Sequence, residues 1–141
     1  MRMLIIHVDH FSSTITEKGR SSVVEEPEPK TTEVGEALVV LASVEKLDEA
    51  NPEVVSRKAV DEIGKIGRQL KVNKIVLHPF AHLFGVLSNP EVAVRTMKLI
   101  QDGLIRNGFE AVRTPFGWFN TLELKAKGHP LSRVAKKVTV D

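Results

Sequence analysis

One stretch constrains the fold of this chain more than any other, the apolar run ALVVLA over residues 37–42. A strand formed here carries apolar side chains on both of its faces, because successive side chains point in opposite directions. Such a strand has to be covered on both faces, as in the centre of an α/β sheet. Shorter apolar runs predict further strands over residues 3–8, 74–77 and 109–113.

Two helices are predicted between these strands, and each is opened by the same pair of residues, Asn51-Pro52 and Asn89-Pro90. Asparagine caps free N–H groups at a helix start, and proline is favoured at the first helical position. Apolar side chains then recur every three or four residues, which is typical of a helix with one buried face. The order strand, helix, strand, helix, strand predicts two right-handed crossovers and parallel neighbouring strands.

Residues outside this alternation predict less regular parts of the fold. Residues 11–16 are expected to pair back on the first strand, and alternation over residues 122–126 predicts another half-buried strand. Residues 132–141 are expected to form a short helix or a last strand. The polar segment over residues 17–35 contains two prolines and many charges, which argue against a core element. We expect an exposed loop or peripheral hairpin there, without a catalytic role.

Composition limits the class of protein and its chemistry. The 141 residues are 42% hydrophobic and 27% charged, which fits a single soluble globular domain. No stretch reaches the ~18 apolar residues of a membrane span, and no signal peptide is evident, so a cytoplasmic protein without a membrane partner is expected. The absence of cysteine excludes disulfides, thiolate catalysis and cysteine-bound zinc.

Three loops are predicted to meet at one edge of the sheet, because each follows the carboxyl end of a strand. They cover residues 43–44, 78–82 and 114–118. The carboxyl ends of parallel strands lie on one side of a sheet, where open α/β folds bind their ligands. These loops are rich in phenylalanine and proline, with His82 beside them. We therefore expect a partly aromatic pocket at this edge.

Several familiar reaction centres have little support in the sequence. Five histidines suggest a metal site, but Pro79 interrupts the spacing of His78 and His82 that a helical pair of ligands needs. No metal is expected. A triad of Ser43, His82 and Asp9 is conceivable, yet there is no Gly-x-Ser-x-Gly elbow. Neither of the common glycine-rich phosphate motifs occurs, so nucleotide hydrolysis and dinucleotide binding have no support.

Charge is distributed unevenly along the chain. Residues 1–55 carry an excess of acidic side chains and residues 56–141 an excess of basic ones, within a net charge of +2. A basic carboxyl-terminal part is compatible with an RNA partner. It is equally compatible with solvated helix faces.

Five segments occur in an order and at a spacing that resemble one protein family. They are Met3-Leu4-Ile5-Ile6-His7-x-Asp9, Ser43-Val44-Glu45-Lys46-x-Asp48-x-x-Asn51-Pro52, His78-Pro79-Phe80-Ala81-His82-Leu83, Pro115-Phe116-Gly117 and Lys127-Gly128-His129-Pro130-Leu131. Together they are similar to the amino-terminal editing domain of archaeal threonyl-tRNA synthetases, from residue 1 to about residue 132. That family resembles the D-aminoacyl-tRNA deacylases. The implied fold is α/β (α+β), with a mixed, barrel-like β-sheet and two long crossover helices.

The resemblance implies an enzyme that hydrolyses the ester of L-serine wrongly attached to threonine tRNA. The family's pocket binds the aminoacyl group and the terminal adenosine of the acceptor end, whose 2′-hydroxyl takes part in the hydrolysis. A homodimer is implied, and no cofactor in this domain, since ATP and zinc belong to a synthetase domain. The residues that match the family's substrate-binding positions are Val44, Pro79, Phe80, Ala81, Phe116, Gly117 and Trp118.

The sequence departs from the family at two positions. Asn120 stands where the family commonly has an active-site lysine, and Arg133 stands where it commonly has a glutamate. One hypothesis is that the pocket keeps a single cation, moved from position 120 to Arg133. The alternatives are that this domain has weaker activity, or that Arg133 is a surface residue. The candidate catalytic residues are His82, Asn120 and Arg133, and the candidate RNA contacts are Lys125, Lys127, Lys136 and Lys137.

Two other functions stay open at this point. A D-aminoacyl-tRNA deacylase has a similar fold and differs in the chirality of its substrate. A non-catalytic aminoacyl-tRNA-binding module is the second, and Asn120 in place of the family's lysine makes it possible. The single domain predicted over residues 1–141 is either part of a longer synthetase or excised from one.

Overall fold

The computed structural model describes residues 1–81, 83 and 85–141. Within them the chain forms seven strands and two long helices. The strands are β1 (Arg2–Lys18), β2 (Thr31–Val34), β3 (Ala37–Ser43), β4 (Lys74–Pro79), β5 (Glu110–Arg113), β6 (Trp118–Ala126) and β7 (Arg133–Lys137). The helices are α1 (Pro52–Leu70) and α2 (Pro90–Arg106), and a 3₁₀ turn, Lys46–Ala50, precedes α1.

The sheet is built around β1. Its first half pairs antiparallel with β3 and with β7, and its second half pairs antiparallel with β2 and with β6. β3, β4 and β5 extend the sheet as parallel neighbours, connected through α1 and α2. The predicted mixed, barrel-like sheet with two crossover helices is therefore confirmed.

The prediction of two separate strands at the start of the chain is wrong. β1 runs without a break along 17 residues, and its register against β6 shifts at two places, at Asp9 and at Thr16. The sequence around Asp9-His10 lacks the glycine or asparagine that a tight hairpin turn requires. Register shifts of this kind bend a strand and increase its twist. One long bent strand therefore curls the sheet where a hairpin was expected.

Both faces of the central strand are covered, but in different ways. All seven positions of β3 are buried. The two helices cover one face, where Ile63 of α1 and Met97 of α2 belong to a large aliphatic core. On the opposite face Phe11 and Val39 belong to a second core, and Leu124 of β6 packs against it. The curl of the sheet thus takes the place of a second helical layer.

The predicted helix starts are confirmed. Asn51 Oδ1 accepts a hydrogen bond from the Val54 N–H at 3.3 Å, and Asn89 Oδ1 accepts one from the Val92 N–H at 2.9 Å. Of the two structures expected in the basic tail, the last strand is the one that forms, as β7. Among the described residues, no helix is both long enough and apolar enough to cross a membrane.

Candidate functional site

A cavity of about 750 Å³ opens at the carboxyl ends of β3 and β4. The three loops predicted to converge all contribute to its walls, through residues 42–44, 78–81 and 115–118. The first turns of α2 close it on another side, with Pro90, Ala93 and Met97. The cavity falls at the strand ends because β3 and β4 are parallel, so their carboxyl ends lie at the same edge.

His78, at the end of β4, lines this cavity as a neutral imidazole. Its Nδ1 lies 2.8 Å from Thr114 Oγ1, and its ring packs edge to face against Phe11 with 5.8 Å between the ring centres. Burial lowers the pKa of His78 to about 4, because the charged form loses its hydration. At neutral pH the ring therefore orients neighbours by hydrogen bonding and carries no charge.

Ser43, at the end of β3, is one of the residues that line the cavity. The residue is buried, and its Oγ has no hydrogen-bond partner among the described residues. A buried polar atom in this situation is a natural partner for a polar group of a ligand. The triad considered from the sequence does not form around it, because Asp9 lies beyond the other end of β3 and binds Lys127 Nζ at 2.6 Å.

The loop after β5 forms an aromatic wall with Phe116 and Trp118. Gly117 between them has a φ of 95°, in the left-handed region that favours glycine. The Gly19 N–H donates to Gly117 O at 2.8 Å and holds the end of β1 against this wall. Residues 19–21 therefore line the cavity, although the segment over residues 17–35 was expected to be an exposed loop or peripheral hairpin without a catalytic role. They reach this edge because β1 extends to Lys18, opposite Trp118.

The predicted substrate-binding residues are brought together by the fold. The described residues that line the cavity include Val44, Pro79, Phe80, Ala81, Phe116, Gly117 and Trp118. Asn120 also lines it, and its side-chain Nδ2 donates to Trp118 O at 3.3 Å. His82 lies outside the described residues, so its catalytic role stays a prediction.

Arg133 is placed elsewhere in the chain's own fold. It lies on β7, opposite Ile6 in the first half of β1, whereas Asn120 on β6 lies opposite Ile15 in the second half. The two positions on β1 are nine residues apart, which corresponds to roughly 30 Å measured along the strand. The Arg133 guanidinium instead bonds to Lys127 O at 3.3 Å, across the turn before β7. Arg133 is not among the described residues that line the cavity, and both the moved cation and a catalytic role for Arg133 stay predictions.

Arg20 is the basic residue that the sequence interpretation missed. It is exposed, and among the described residues lining the cavity it is the only lysine or arginine. It takes part in no ion pair with the described part of the chain, so its charge is available to a ligand. No motif marks Arg20, because it comes to the cavity only through the length of β1 and the bond between Gly19 and Gly117.

The four candidate RNA-contact lysines lie on β6, on β7 and in the turn between them, and they differ in availability. Lys127 Nζ binds Asp9 at 2.6 Å, and this hydrogen bond raises the pKa of Lys127. Lys136 Nζ lies 3.6 Å from Glu62. Lys125 and Lys137 are exposed, although Lys125 Nζ also lies 3.9 Å from Asp9. The ammonium groups of Lys125 and Lys137 are therefore more available to a polyanion than those of Lys127 and Lys136.

Two further histidines form a hydrogen-bonded pair away from the cavity. His7 Nδ1 lies 2.8 Å from His129 Nε2, and His7 Nε2 lies 2.8 Å from the Glu36 carboxylate. The Leu131 N–H donates to His129 Nδ1 at 3.2 Å. The pair fixes the turn before β7 to the sheet. Over the described ranges, no group of three or more histidine, aspartate and glutamate side chains could hold a metal ion.

The fold and the cavity together define an α+β ligand-binding domain, with its site at the carboxyl ends of parallel strands. The model of the archaea-specific editing domain of threonyl-tRNA synthetase matches residues 1–138. The chain therefore belongs to this family of editing domains.

Similar proteins carry the name threonine–tRNA ligase. The chain is 43% identical to the one from Methanopyrus kandleri over 99% of its length, and 42% identical to the one from Methanocaldococcus jannaschii over 98%. It is 41% identical to the one from Thermococcus gammatolerans over 98% of its length. The chain covers 22% of each of these relatives, so it spans about a fifth of the proteins it matches.

Proposed function

We propose that this domain proofreads threonyl-tRNA synthesis by hydrolysing the ester between L-serine and tRNA(Thr). The observation that carries the proposal is the cavity of about 750 Å³ at the strand ends of a threonyl-tRNA synthetase editing domain. Ligand pockets of a few hundred to a thousand Å³ enclose molecules the size of an aminoacyl nucleoside. The activity belongs to the cytoplasm, where aminoacyl-tRNA is used.

A physical reason favours serine as the substrate. Serine lacks one methyl group of threonine, and a pocket that accepts the larger side chain rejects the smaller one only ~10–200-fold. A second, hydrolytic site supplies the missing discrimination. It has to accept serine and spare threonine.

The chemistry needs a positioned water, a group that takes its proton, and donors for the developing oxyanion. The 2′-hydroxyl of the terminal adenosine takes part in moving the proton, and the domain positions substrate and excludes stray water. Ser43 and Asn120 line the cavity and carry neutral hydrogen-bonding side chains. His82 orients the aminoacyl group. In this scheme His78 stays neutral and acts through hydrogen bonding.

Binding of the acceptor end combines stacking and charge. Phe80, Phe116 and Trp118 surround the adenine, and a stacked base contributes ~1–3 kcal/mol. Arg20 binds a backbone phosphate at the mouth of the cavity. Lys125, Lys127, Lys136 and Lys137 guide the acceptor arm. The working unit is a homodimer, and neither a metal nor ATP is needed for the hydrolysis.

The first test is deacylation of L-seryl-tRNA(Thr) by the 141-residue chain, beside L-threonyl-tRNA(Thr) and a D-aminoacyl-tRNA. We expect rapid loss of L-serine, with threonine retained and the rate unchanged by a chelator. Loss of the D-aminoacyl ester alone would assign a D-aminoacyl-tRNA deacylase. Binding of tRNA without turnover would assign a binding module, the second candidate, which Asn120 in place of the family's lysine favours.

A further inference from the structure

We propose that Glu25 is a positioning residue of this cavity, which holds the aromatic wall in the place that the substrate requires. The proposal rests on the proposed function and extends it to a segment outside the strand ends. Glu25 lies in the connection between β1 and β2. Its contacts tie that connection to the loop that carries Phe116 and Trp118.

The Glu25 carboxylate receives three donors from the wall and its support. Both terminal nitrogens of Arg113 donate to it, Nη2 at 2.9 Å, in a bidentate ion pair. The Phe116 N–H donates to Glu25 Oε1 at 3.0 Å. Arg113 is itself held by α2, because its Nε donates to Gln101 Oε1 at 3.4 Å. One side chain thus joins the wall, β5 and α2.

The backbone of Glu25 adds two bonds to the same loop. Its N–H donates to Phe116 O at 3.0 Å, and its C=O accepts from Trp118 Nε1 at 2.8 Å. The indole has a single donor, so this bond fixes the orientation of the ring. The two aromatic side chains of the wall are therefore positioned from one residue.

Two glycines bring the segments together backbone to backbone. A Cβ on Gly117 would lie 2.8 Å from Val23 O and 3.0 Å from the Val24 Cα. A Cβ on Gly19 would lie 2.7 Å from Gly117 O. No larger residue fits at either position without a shift of the main chain, so residues 19–25 and 115–118 form one packed unit.

The carboxylate is charged at neutral pH. Burial alone raises the pKa of Glu25, but the hydrogen bonds from Arg113 and from the Phe116 N–H outweigh burial and hold the pKa below its usual value. A half-buried carboxylate with three donors restrains the positions of the donor groups more tightly than a solvated carboxylate would. Reacting groups have to be held to fractions of an ångström, and a displacement near 1 Å can cost ~100-fold in rate.

The test is a comparison of Glu25→Ala with Glu26→Ala in deacylation of L-seryl-tRNA(Thr). Glu26 is the neighbouring carboxylate, exposed and without an ion pair among the described residues. We expect Glu25→Ala to lower kcat/KM about 10–100-fold, because a displaced wall stacks less well on the adenine and places the ester less well, and Glu26→Ala to match the wild type. Glu25→Gln keeps an acceptor for the Phe116 N–H and is expected to fall between them.

Fluorescence gives a second readout that needs no substrate. Trp118 is the only tryptophan of the chain, so its emission reports the wall directly. We expect a red shift in Glu25→Ala, because loss of the carboxylate's bonds to Arg113 and to the Phe116 N–H loosens the segment whose C=O holds the indole, and the indole gains water. No shift is expected in Glu26→Ala. Circular dichroism establishes that each variant is folded. If Glu25→Ala does not fold, Glu25→Gln decides.

Two results would overturn the inference. The first is that the wild type is active and the kcat/KM of folded Glu25→Ala lies within twofold of the wild-type value. If the alanine variant does not fold, the same comparison is made with Glu25→Gln. The other is an emission spectrum unchanged in the same variant. An inactive wild type would instead refute the proposed function, and the emission of Trp118 would then decide alone whether Glu25 positions the wall.

Discussion

His78 illustrates how position in the fold decides the chemistry of a single side chain. As a free residue it would titrate near pH 6.5, but burial lowers its pKa to about 4. Its ring is fixed between Thr114 and Phe11. Protonation would place an uncompensated charge beside the apolar core of the sheet, and folding opposes it.

This shift predicts how stability depends on pH. The folded pKa lies below the unfolded one, so the unfolded chain binds a proton first as the pH falls through 6.5. The contribution of His78 to the free energy of unfolding is therefore fully present above pH 6.5. It is lost as the pH falls towards 4, and the loss amounts to about 3 kcal/mol. Urea unfolding followed by circular dichroism at several pH values measures it. His78→Asn, which keeps a polar atom towards Thr114, should flatten the dependence, and the exposed His10→Asn should not. An equally steep curve for His78→Asn would contradict the assignment.

At the scale of elements, α1 and α2 begin with the same kind of cap but differ in their contribution to the cavity. Both start at an asparagine cap followed by proline. The first turns of α2 line the cavity, whereas no described residue of α1 does. The Asn89 N–H also donates to Glu49 Oε2 at 2.8 Å, which ties the start of α2 to the 3₁₀ turn. A substitution that weakens the start of α2 should therefore also weaken substrate binding.

Variants that lack each cap side chain distinguish an effect on stability from an effect on substrate binding. Asn89→Ala and Asn51→Ala should each lower the free energy of unfolding by about 1 kcal/mol, the usual value of an N-cap side chain. Only Asn89→Ala should also raise KM for seryl-tRNA(Thr), because only its helix forms part of the cavity. Denaturant titrations and steady-state kinetics on both variants test this. An equal rise of KM in both would show that the loss follows stability and not the position of α2.

Much of the element order could be predicted from sequence, because it depends on local patterns. The apolar run of β3 and the two capped helices are signals within a few residues of the elements they define. The length of β1 could not be predicted in this way, since the partners of its second half, β2 and β6, lie far along the chain. Its polar second half resembles a loop until those partners are known.

The candidate site was predictable to the same degree. Loops at the ends of parallel strands follow from the order of elements, so the wall and strand-end residues of the cavity were found. Glu25 and Arg20 were missed because a proline-containing, charged segment is normally exposed. The position of Arg133 relative to Asn120 could not be predicted from local patterns. It depends on where β6 and β7 pair along β1.

At the scale of the whole molecule, the basic side chains that could meet a polyanion lie on different elements. Arg20 is the basic side chain that the described cavity lining contributes, while Lys125 and Lys137 lie on β6 and β7. Lys74 lies at the amino end of β4, away from the opening, and pairs with Glu110 at 3.1 Å. Binding of a polyanion at the cavity should therefore depend on Arg20 and not on Lys74.

Salt dependence tests this arrangement. KM for seryl-tRNA(Thr) should rise with salt, because phosphate contacts release counterions. Arg20→Gln should reduce the slope of log KM against log salt by about one and leave kcat nearly unchanged. Lys74→Gln serves as the matched control and should keep the wild-type slope. An unaltered slope for Arg20→Gln would exclude a phosphate contact at this residue.

The central place of β1 also has a consequence for synthesis on the ribosome. Among the strands of this domain β1 is made first, and it pairs with β7, whose residues 133–137 are separated from it by most of the domain. Contacts between such distant residues form slowly, because a long loop has to be closed first. Until residue 137 has left the exit tunnel, one edge of β1 is without its native neighbour. The nascent domain therefore carries an open strand edge, the kind of surface that pairs with other chains.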